Sequence, residues 1–109
     1  MKKYYRILDE VQQLDNVANI YDELSSLDFT KSIFEQTNKL DEDLFQLTFI
    51  NGNIIDIGWY PAFEEDGEFI IQVISDENWD EPAFKSTSSW DKNELIEKVN
   101  DALMNCPSS

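Results

Sequence analysis

Residues 44–60 read LFQLTFINGNIIDIGWY, and this stretch decides the fold. Residues 44–50 and 54–60 are rich in β-branched and aromatic side chains, which favour strands. They flank Asn51, Gly52 and Asn53, and an Asn-Gly pair between two apolar runs is a strong signal for a hairpin turn. The stretch therefore predicts two antiparallel strands joined by a tight turn.

The length of the turn sets the register of this hairpin. A two-residue turn would place Leu47 opposite Asp56, whereas a three-residue loop places Leu47 opposite Ile57 and Phe45 opposite Trp59. A slip of one residue turns the apolar side chains of one strand to the wrong face, so apolar matching favours the three-residue loop. In that register Leu47 and Trp59 are predicted core residues.

Further strands are predicted after the hairpin. Residues 69–74 predict a third strand, and residues 83–87 fit a shorter fourth strand, which Pro82 places at a sheet edge. The apolar side chains that share one face of the third strand are Phe69, Ile71 and Val73.

Helices are predicted at both ends of the chain. From Tyr4 to Leu24 the apolar residues recur at intervals of three and four, which predicts a helix over residues 3–26. Residues 27–40 fit a short helix or an edge strand equally well, and both alternatives stay open.

The C-terminal helix has an explicit start signal. Asp91 can cap it, Glu94 completes a capping box, and Trp90 can pack onto Leu95 as a hydrophobic staple. The order of the elements predicts a single acidic α+β domain over residues 1–109. Its architecture is an antiparallel three- or four-stranded meander with N-terminal and C-terminal helices packed on one face.

The composition is that of a globular protein in a reducing compartment. A hydrophobic fraction of 41%, with seven Phe, four Tyr and three Trp, argues against a disordered chain. The single cysteine, Cys106, excludes an internal disulfide and a thiolate metal cluster. Asp9 and Glu10 interrupt the basic N-terminus, and no apolar stretch approaches the roughly 20 residues of a membrane helix. We therefore expect a cytoplasmic protein.

Charge is the strongest functional signal in the sequence. The 23 acidic and 8 basic residues give a formal charge of −15, which repels nucleic acid and anionic membranes, so we expect no direct binding to either. No basic residue lies between Lys39 and Lys85. Such a surface would attract a basic partner, with bulk solubility as the alternative explanation. The acids of this span are Asp41, Glu42, Asp43, Asp56, Glu64, Glu65, Asp66, Glu68, Asp76, Glu77, Asp80 and Glu81.

The predicted meander gathers most of these acids at two ends of the sheet. Residues 41–43 and 64–68 should lie at one end, and residues 76–81 at the other, near the loop at 51–53. Trp79, inside the last group, is either a loop anchor or an exposed contact, since Trp is enriched at interfaces. The predicted partner-binding residues are Asp41, Glu42, Asp43, Glu64, Glu65, Asp66, Glu68, Asp76, Glu77, Trp79, Asp80 and Glu81.

The sequence offers no recognisable catalytic machinery. It contains no His, which removes the commonest general base and the usual zinc ligand. A calcium loop centred on Gly67 or Gly52 would have Ala62 or Leu47 at its first ligand position, and neither can serve. Cys106 falls in a tail that is predicted to be frayed, so its thiol is expected to be incidental. We therefore predict no catalytic, cofactor-binding or metal-binding residues.

Residues 53–61 (NIIDIGWYP) and 67–74 (GEFIIQVI), followed by Trp79, Pro82 and the capped helix, resemble bacterial immunity proteins. These are the antitoxins encoded beside contact-dependent growth inhibition and other polymorphic toxins, and the resemblance covers residues 44–104. It implies a stoichiometric inhibitor that binds a cognate toxin domain, often a basic nuclease. The alternatives are a nucleic-acid-mimicking inhibitor of phage or mobile-element origin, whose carboxylates replace phosphates, and an enzyme that uses carboxylates with a divalent metal.

Overall fold

The computed structural model describes residues 3–107, and in it the chain forms a five-stranded antiparallel sheet, a two-stranded sheet and two α-helices. The predicted α+β class is therefore confirmed, whereas the large sheet has five strands instead of the predicted three or four. The small sheet pairs β1 (Tyr4–Ile7) with β2 (Glu10–Gln13). The large sheet has the order β3-β4-β5-β6-β7, with strands Val17–Asp22, Phe45–Phe49, Ile54–Tyr60, Glu68–Ile74 and Phe84–Ser88.

The helical elements are short apart from the last. Helix α1 is Ile33–Gln36 and helix α2 is Lys92–Met104, and 3-10 turns cover Leu24–Ser26 and Thr37–Lys39. Neither α-helix of the described region has the length and apolar character needed to cross a membrane.

The predicted helix over residues 3–26 is wrong, because this segment forms β1, β2 and β3. Tyr4 and Val11, two members of the apolar stripe, are exposed, so the stripe does not form a buried helical face. The chain reverses at Leu8 and Asp9, which have φ angles of 53° and 66°, as a two-residue hairpin of this kind requires. Leucine rarely adopts positive φ, and the turn therefore carries no signal in the sequence.

The hairpin of β4 and β5 is confirmed, but the predicted register is wrong. Leu47 pairs with Ile55 rather than Ile57, and Phe45 pairs with Ile57 rather than Trp59. A shift of two residues leaves every side chain on its predicted face, because the side-chain period of a strand is two. The core positions of Leu47 and Trp59 are accordingly confirmed, and both side chains have 0% of their surface exposed.

The turn explains the shift. Its three-residue loop is 50–52 rather than 51–53, since the backbone N–H of Phe49 donates to the carbonyl of Asn53 over 2.9 Å. Gly52 also donates to the carbonyl of Phe49 and has a φ of +93°. Three-residue hairpin loops need such a residue at their last position, and glycine adopts it without steric strain.

The third and fourth strands lie close to their predicted places. β6 contains the predicted strand 69–74, and its side chains Phe69, Ile71 and Val73 are buried together. β7 begins one residue later than predicted and forms one edge of the large sheet.

The start of α2 agrees with prediction in one of its two capping contacts. Asp91 caps the helix, because its carboxylate accepts from the backbone N–H of Glu94 over 3.0 Å. The Glu94 carboxylate does not return to Asp91 as a capping box requires; it accepts from the N–H and hydroxyl of Ser89 over 3.1 and 2.8 Å. The contact of Trp90 with Leu95 stays a prediction.

Residues 27–40, for which two alternatives were open, fold as α1 and a 3-10 turn. The Phe29 ring of this segment stacks on Trp90 with 4.4 Å between ring centroids. Trp90 in turn meets Phe69 and Trp59, and its indole N–H donates to the carbonyl of Lys31 over 3.1 Å. These contacts fasten the segment to the core.

The large sheet has a packed face and an outer face. Trp59 and Leu47 on the packed face belong to one hydrophobic core with Leu95 and Val99 of α2. The outer face carries the side chains that alternate with the packed ones. Cross-strand pairing joins one such residue from each strand into a row, which we call the outer row: Tyr21, Gln46, Asp56, Gln72 and Lys85.

Candidate functional site

The structure places residues 41–43 and 64–68 at the same end of the sheet, as the sequence analysis predicted. The backbone N–H of Trp59 donates to the carbonyl of Asp41 over 2.9 Å, and that of Phe63 donates to Leu40 over 2.7 Å. We call the acids of this end the first acidic cluster, and all of them are exposed: Asp41, Glu42, Asp43, Glu64, Glu65, Asp66 and Glu68.

Trp59 holds both segments of the first acidic cluster to the core. Its buried indole N–H donates to the carbonyl of Glu64 over 2.7 Å. Gly67 lies so close that a Cβ there would be 2.5 Å from the indole nitrogen, which only glycine avoids. The loop that carries Glu64 to Asp66 therefore rests directly on a core side chain, and its backbone is held by contacts that are independent of its charges.

Gly58 brings the other segment onto the sheet. A Cβ at this position would overlap the backbone carbonyl of Glu42. The chain at 41–43 can therefore lie against β5 only because residue 58 has no side chain.

The remaining predicted acids form the second acidic cluster, which is Asp76, Glu77, Asp80 and Glu81. Asp76 and Glu77 both have a φ of 57°, and the N–H of Asn78 closes the turn onto the carbonyl of Ser75 over 3.1 Å. A shallow concavity lined by these two acids and by Asn51 and Gly52 confirms that this cluster lies at the opposite end, beside the hairpin loop.

Trp79 is 47% exposed, which favours the exposed contact over the loop anchor. Its indole is thus an apolar surface beside the second acidic cluster, open to solvent within the described residues.

Neither acidic cluster has a cationic neighbour within ion-pair distance in residues 3–107. The ion pair that the structure does contain joins Lys92 to Asp9, away from both clusters. The same part of the chain also contains no group of three His, Cys, Asp or Glu residues arranged to hold a metal ion. The carboxylates of both clusters are therefore exposed and outside any ion pair of the described residues, although Lys39 lines a concavity with Asp41 and Asp43.

Asp56 is the residue that the sequence-based choice of partner-binding residues missed. It lies in the central strand of the outer row and is 8% exposed. Burial, with a smaller contribution from the Asp43 carboxylate, raises the pKa of Asp56 to about 6. The sequence did contain a signal for this residue, since Asp56 is the single acid inside the apolar run 54–60. Side chains alternate along a strand, so Asp56 lies on the face of the sheet away from the core residues Ile55 and Ile57.

The predicted frayed tail around Cys106 is wrong. Cys106 is buried, and burial raises the pKa of its thiol to about 11. The next residue is tied to the hairpin loop, because the side-chain amides of Asn51 and Asn53 donate to the carbonyl of Pro107 over 3.0 and 2.8 Å. The expectation of an unreactive thiol now rests on burial rather than on fraying.

Comparison of the chain with protein-family models, with curated proteins and with solved structures gave no match. The fold and the arrangement of side chains are therefore the basis for a function. They define an acidic α+β protein with two charged sheet ends and one acid buried on its outer face.

Proposed function

We propose that this protein acts by binding a basic protein surface, as a stoichiometric inhibitor of the immunity-protein type that neutralises a cognate toxin domain. The observation that carries the proposal is the first acidic cluster, seven exposed carboxylates that form no ion pair within residues 3–107, on a backbone fastened to Trp59. Concentrated like charge destabilises a folded chain through self-repulsion, so a rigid cluster of this kind fits a use in recognition. In this proposal the protein has no enzymatic activity.

The first acidic cluster also has the apolar component that an interface needs. Tyr21 and Phe63 are both exposed and line a concavity of about 350 Å³, whose charged lining residues are Glu23, Lys39, Asp41 and Asp43. Aromatic side chains dominate the binding energy of many protein interfaces, while surrounding charges govern steering and specificity. We therefore favour the first acidic cluster over the second as the docking surface.

The experiment is co-expression with the toxin domain encoded by the neighbouring gene. One variant reverses Glu64, Glu65 and Asp66 to Lys, and the matched control reverses Glu77, Asp80 and Glu81, so that both carry the same change in net charge. We expect the wild type and the control to restore growth and the first variant to fail, with unchanged thermal unfolding of all three. Protection by both variants would overturn the proposal.

Nuclease inhibition assays with the purified protein separate an inhibitor of one cognate toxin from a nucleic-acid mimic. A mimic would inhibit unrelated nucleases and would be displaced by excess DNA, whereas an immunity protein would inhibit its cognate domain alone. If only the control variant lost protection, the result would indicate docking through the second acidic cluster and Trp79.

A further inference from the structure

Asp56 is buried without a hydrogen-bond donor from any described residue. Its carboxylate is 8% exposed, and the influences on its pKa are burial and the neighbouring Asp43 carboxylate, with no hydrogen bond among them. Carboxylates with little exposed surface are ordinarily paired or hydrogen-bonded, because burial disfavours their charged form. No buried side-chain oxygen of residues 3–107 lacks a partner, so the small exposed part of Asp56 includes its carboxylate oxygens. A cationic group that reached these oxygens would offset the cost of their partial burial.

The carboxylate opens into a pocket on the outer face. The pocket has a volume of about 330 Å³, and its walls are Tyr21, Asp43, Phe45 and Gln46. We call this concavity, with Asp56 at its base, the Asp56 pocket. It contains two carboxylates, an amide and an exposed aromatic ring, and none of its lining residues is cationic.

The charged and titratable groups around the pocket are predominantly acidic. Asp43 contributes from the segment before β4, and the Tyr60 phenol on the same strand has its pKa raised by burial and by the Asp56 and Glu42 carboxylates. Lys85 is the cation of the outer row, but the strand carrying Gln72 separates it from Asp56, which puts their backbones about 10 Å apart. Lys39 lines the adjoining concavity, which shares Tyr21 and Asp43 with the pocket, but it forms no ion pair with either pocket carboxylate. The pocket itself is thus lined by two carboxylates and by no cation.

We propose that the Asp56 pocket receives the guanidinium group of an arginine side chain from the basic partner protein. This inference rests on the proposed function and names the anchor of that interface. Arginine fits better than lysine for three reasons: its planar fork can bridge two carboxylates, it stacks on aromatic faces such as Tyr21, and it is more weakly hydrated than an ammonium group. The pocket adjoins the first acidic cluster through Asp43, so one docked surface covers both.

The test uses the purified protein alone, with a blocked tripeptide Gly-Arg-Gly as the probe and Gly-Lys-Gly for comparison. NMR chemical shifts of the Asp56 carboxyl carbon are followed at low salt, together with the backbone amides of Tyr21 and Gln46, which report binding in the variants as well. We expect saturable shifts with the arginine peptide, a fall of the Asp56 pKa from about 6 on binding, and weaker binding of the lysine peptide.

Two matched variants control the test. Asp56→Asn should weaken binding of the arginine peptide roughly tenfold or more, since a hydrogen bond to a charged group is lost. The same change at Asp15, which is exposed and belongs to neither acidic cluster, should leave the binding within about twofold. Thermal unfolding verifies that both variants fold. Equal weakening in the two variants, or arginine and lysine peptides that bind alike without moving the Asp56 signal, would overturn the proposal and indicate general electrostatic attraction.

These outcomes are distinguishable from failure of the proposed function. If the arginine peptide binds at Asp56 while reversal of Glu64 to Asp66 leaves protection intact, the arginine site is supported and docking through the first acidic cluster is refuted. If reversal abolishes protection while the peptide leaves the Asp56 chemical shift unchanged, docking through the first acidic cluster is supported and the arginine site is refuted.

Discussion

Replacing Asp56 by Asn should stabilise the protein at neutral pH, and the gain should disappear in acid. Burial is the main reason that the pKa of Asp56 rises from 3.8 to about 6 in the folded state. A difference of about two between the folded and unfolded pKa values corresponds to about 3 kcal/mol. Because the pocket mouth admits solvent, which screens part of the effect, we expect a gain of about 1–2 kcal/mol at pH 7.5.

The pH dependence follows from the direction of this shift. The contribution of Asp56 to stability is fully present below its unfolded pKa of 3.8, where the carboxyl is neutral in both states. It is lost as the pH rises through about 6, since the folded protein must then keep a charge in the pocket. The advantage of the variant should therefore shrink between pH 6 and pH 4 and vanish below that range.

Urea unfolding of the wild type and of Asp56→Asn from pH 3.5 to 8 measures this difference directly. Asp66→Asn in the exposed loop is the matched control and should track the wild type within about 0.5 kcal/mol. If Asp56→Asn were less stable than the wild type at every pH, the carboxylate would have a favourable partner in the folded chain. The inference of an unpaired buried acid would then be refuted.

Three further measurements test the packing. Trp59→Ala should lower the free energy of unfolding by about 3–5 kcal/mol in urea melts, as a large-to-small core change, while Glu65→Ala should have almost no effect; equal stability of the two variants would contradict the core position of Trp59. Gly58→Ala should destabilise by about 2 kcal/mol or more, because the new methyl group overlaps the backbone carbonyl of Glu42, and a wild-type melting temperature would show that this segment does not lie against β5. Cys106 should react with a thiol reagent only slowly at pH 8 and quickly in denaturant, since burial raises the pKa of its thiol to about 11. Fast reaction in the native protein would instead indicate that the C-terminal tail is frayed.

The central strands and the C-terminal helix could be predicted because local signals and tertiary packing agree there. Alternating apolar residues in β5 and β6 match the packed face, and Asp91 caps α2 where its side chain can reach a free backbone N–H. The faces of β4 and β5 were correct although the register was shifted by two, since face depends on parity alone.

The N-terminal segment could not be predicted from its apolar spacing. The spacing fits a helix, but the stability of β3 comes from pairing with β4, where Ile20 lies opposite Leu47. Such pairing between segments distant in sequence cannot be recognised from the residues of one segment alone. The turn at Leu8 and Asp9 also has positive φ angles, which these residue types do not indicate in the sequence.

The acidic clusters could be placed from topology, because the ends of adjacent antiparallel strands coincide. Asp56 could not be selected in the same way. Its importance depends on the approach of Asp43 and Tyr21 over the outer face, which involves residues distant in sequence. The charge was visible in the sequence, whereas its burial emerged only from the fold.

The association rate constant with the proposed partner, a basic toxin domain, tests the central claim most directly when stopped flow measures it as a function of ionic strength. We expect fast association that falls steeply as salt rises, and a much smaller salt dependence after reversal of Glu64, Glu65 and Asp66, because opposite potentials steer the encounter. Reversal of Glu77, Asp80 and Glu81 should alter the slope far less. An unchanged salt dependence in the first variant would contradict docking through the first acidic cluster and would leave its charge with a role in solubility alone.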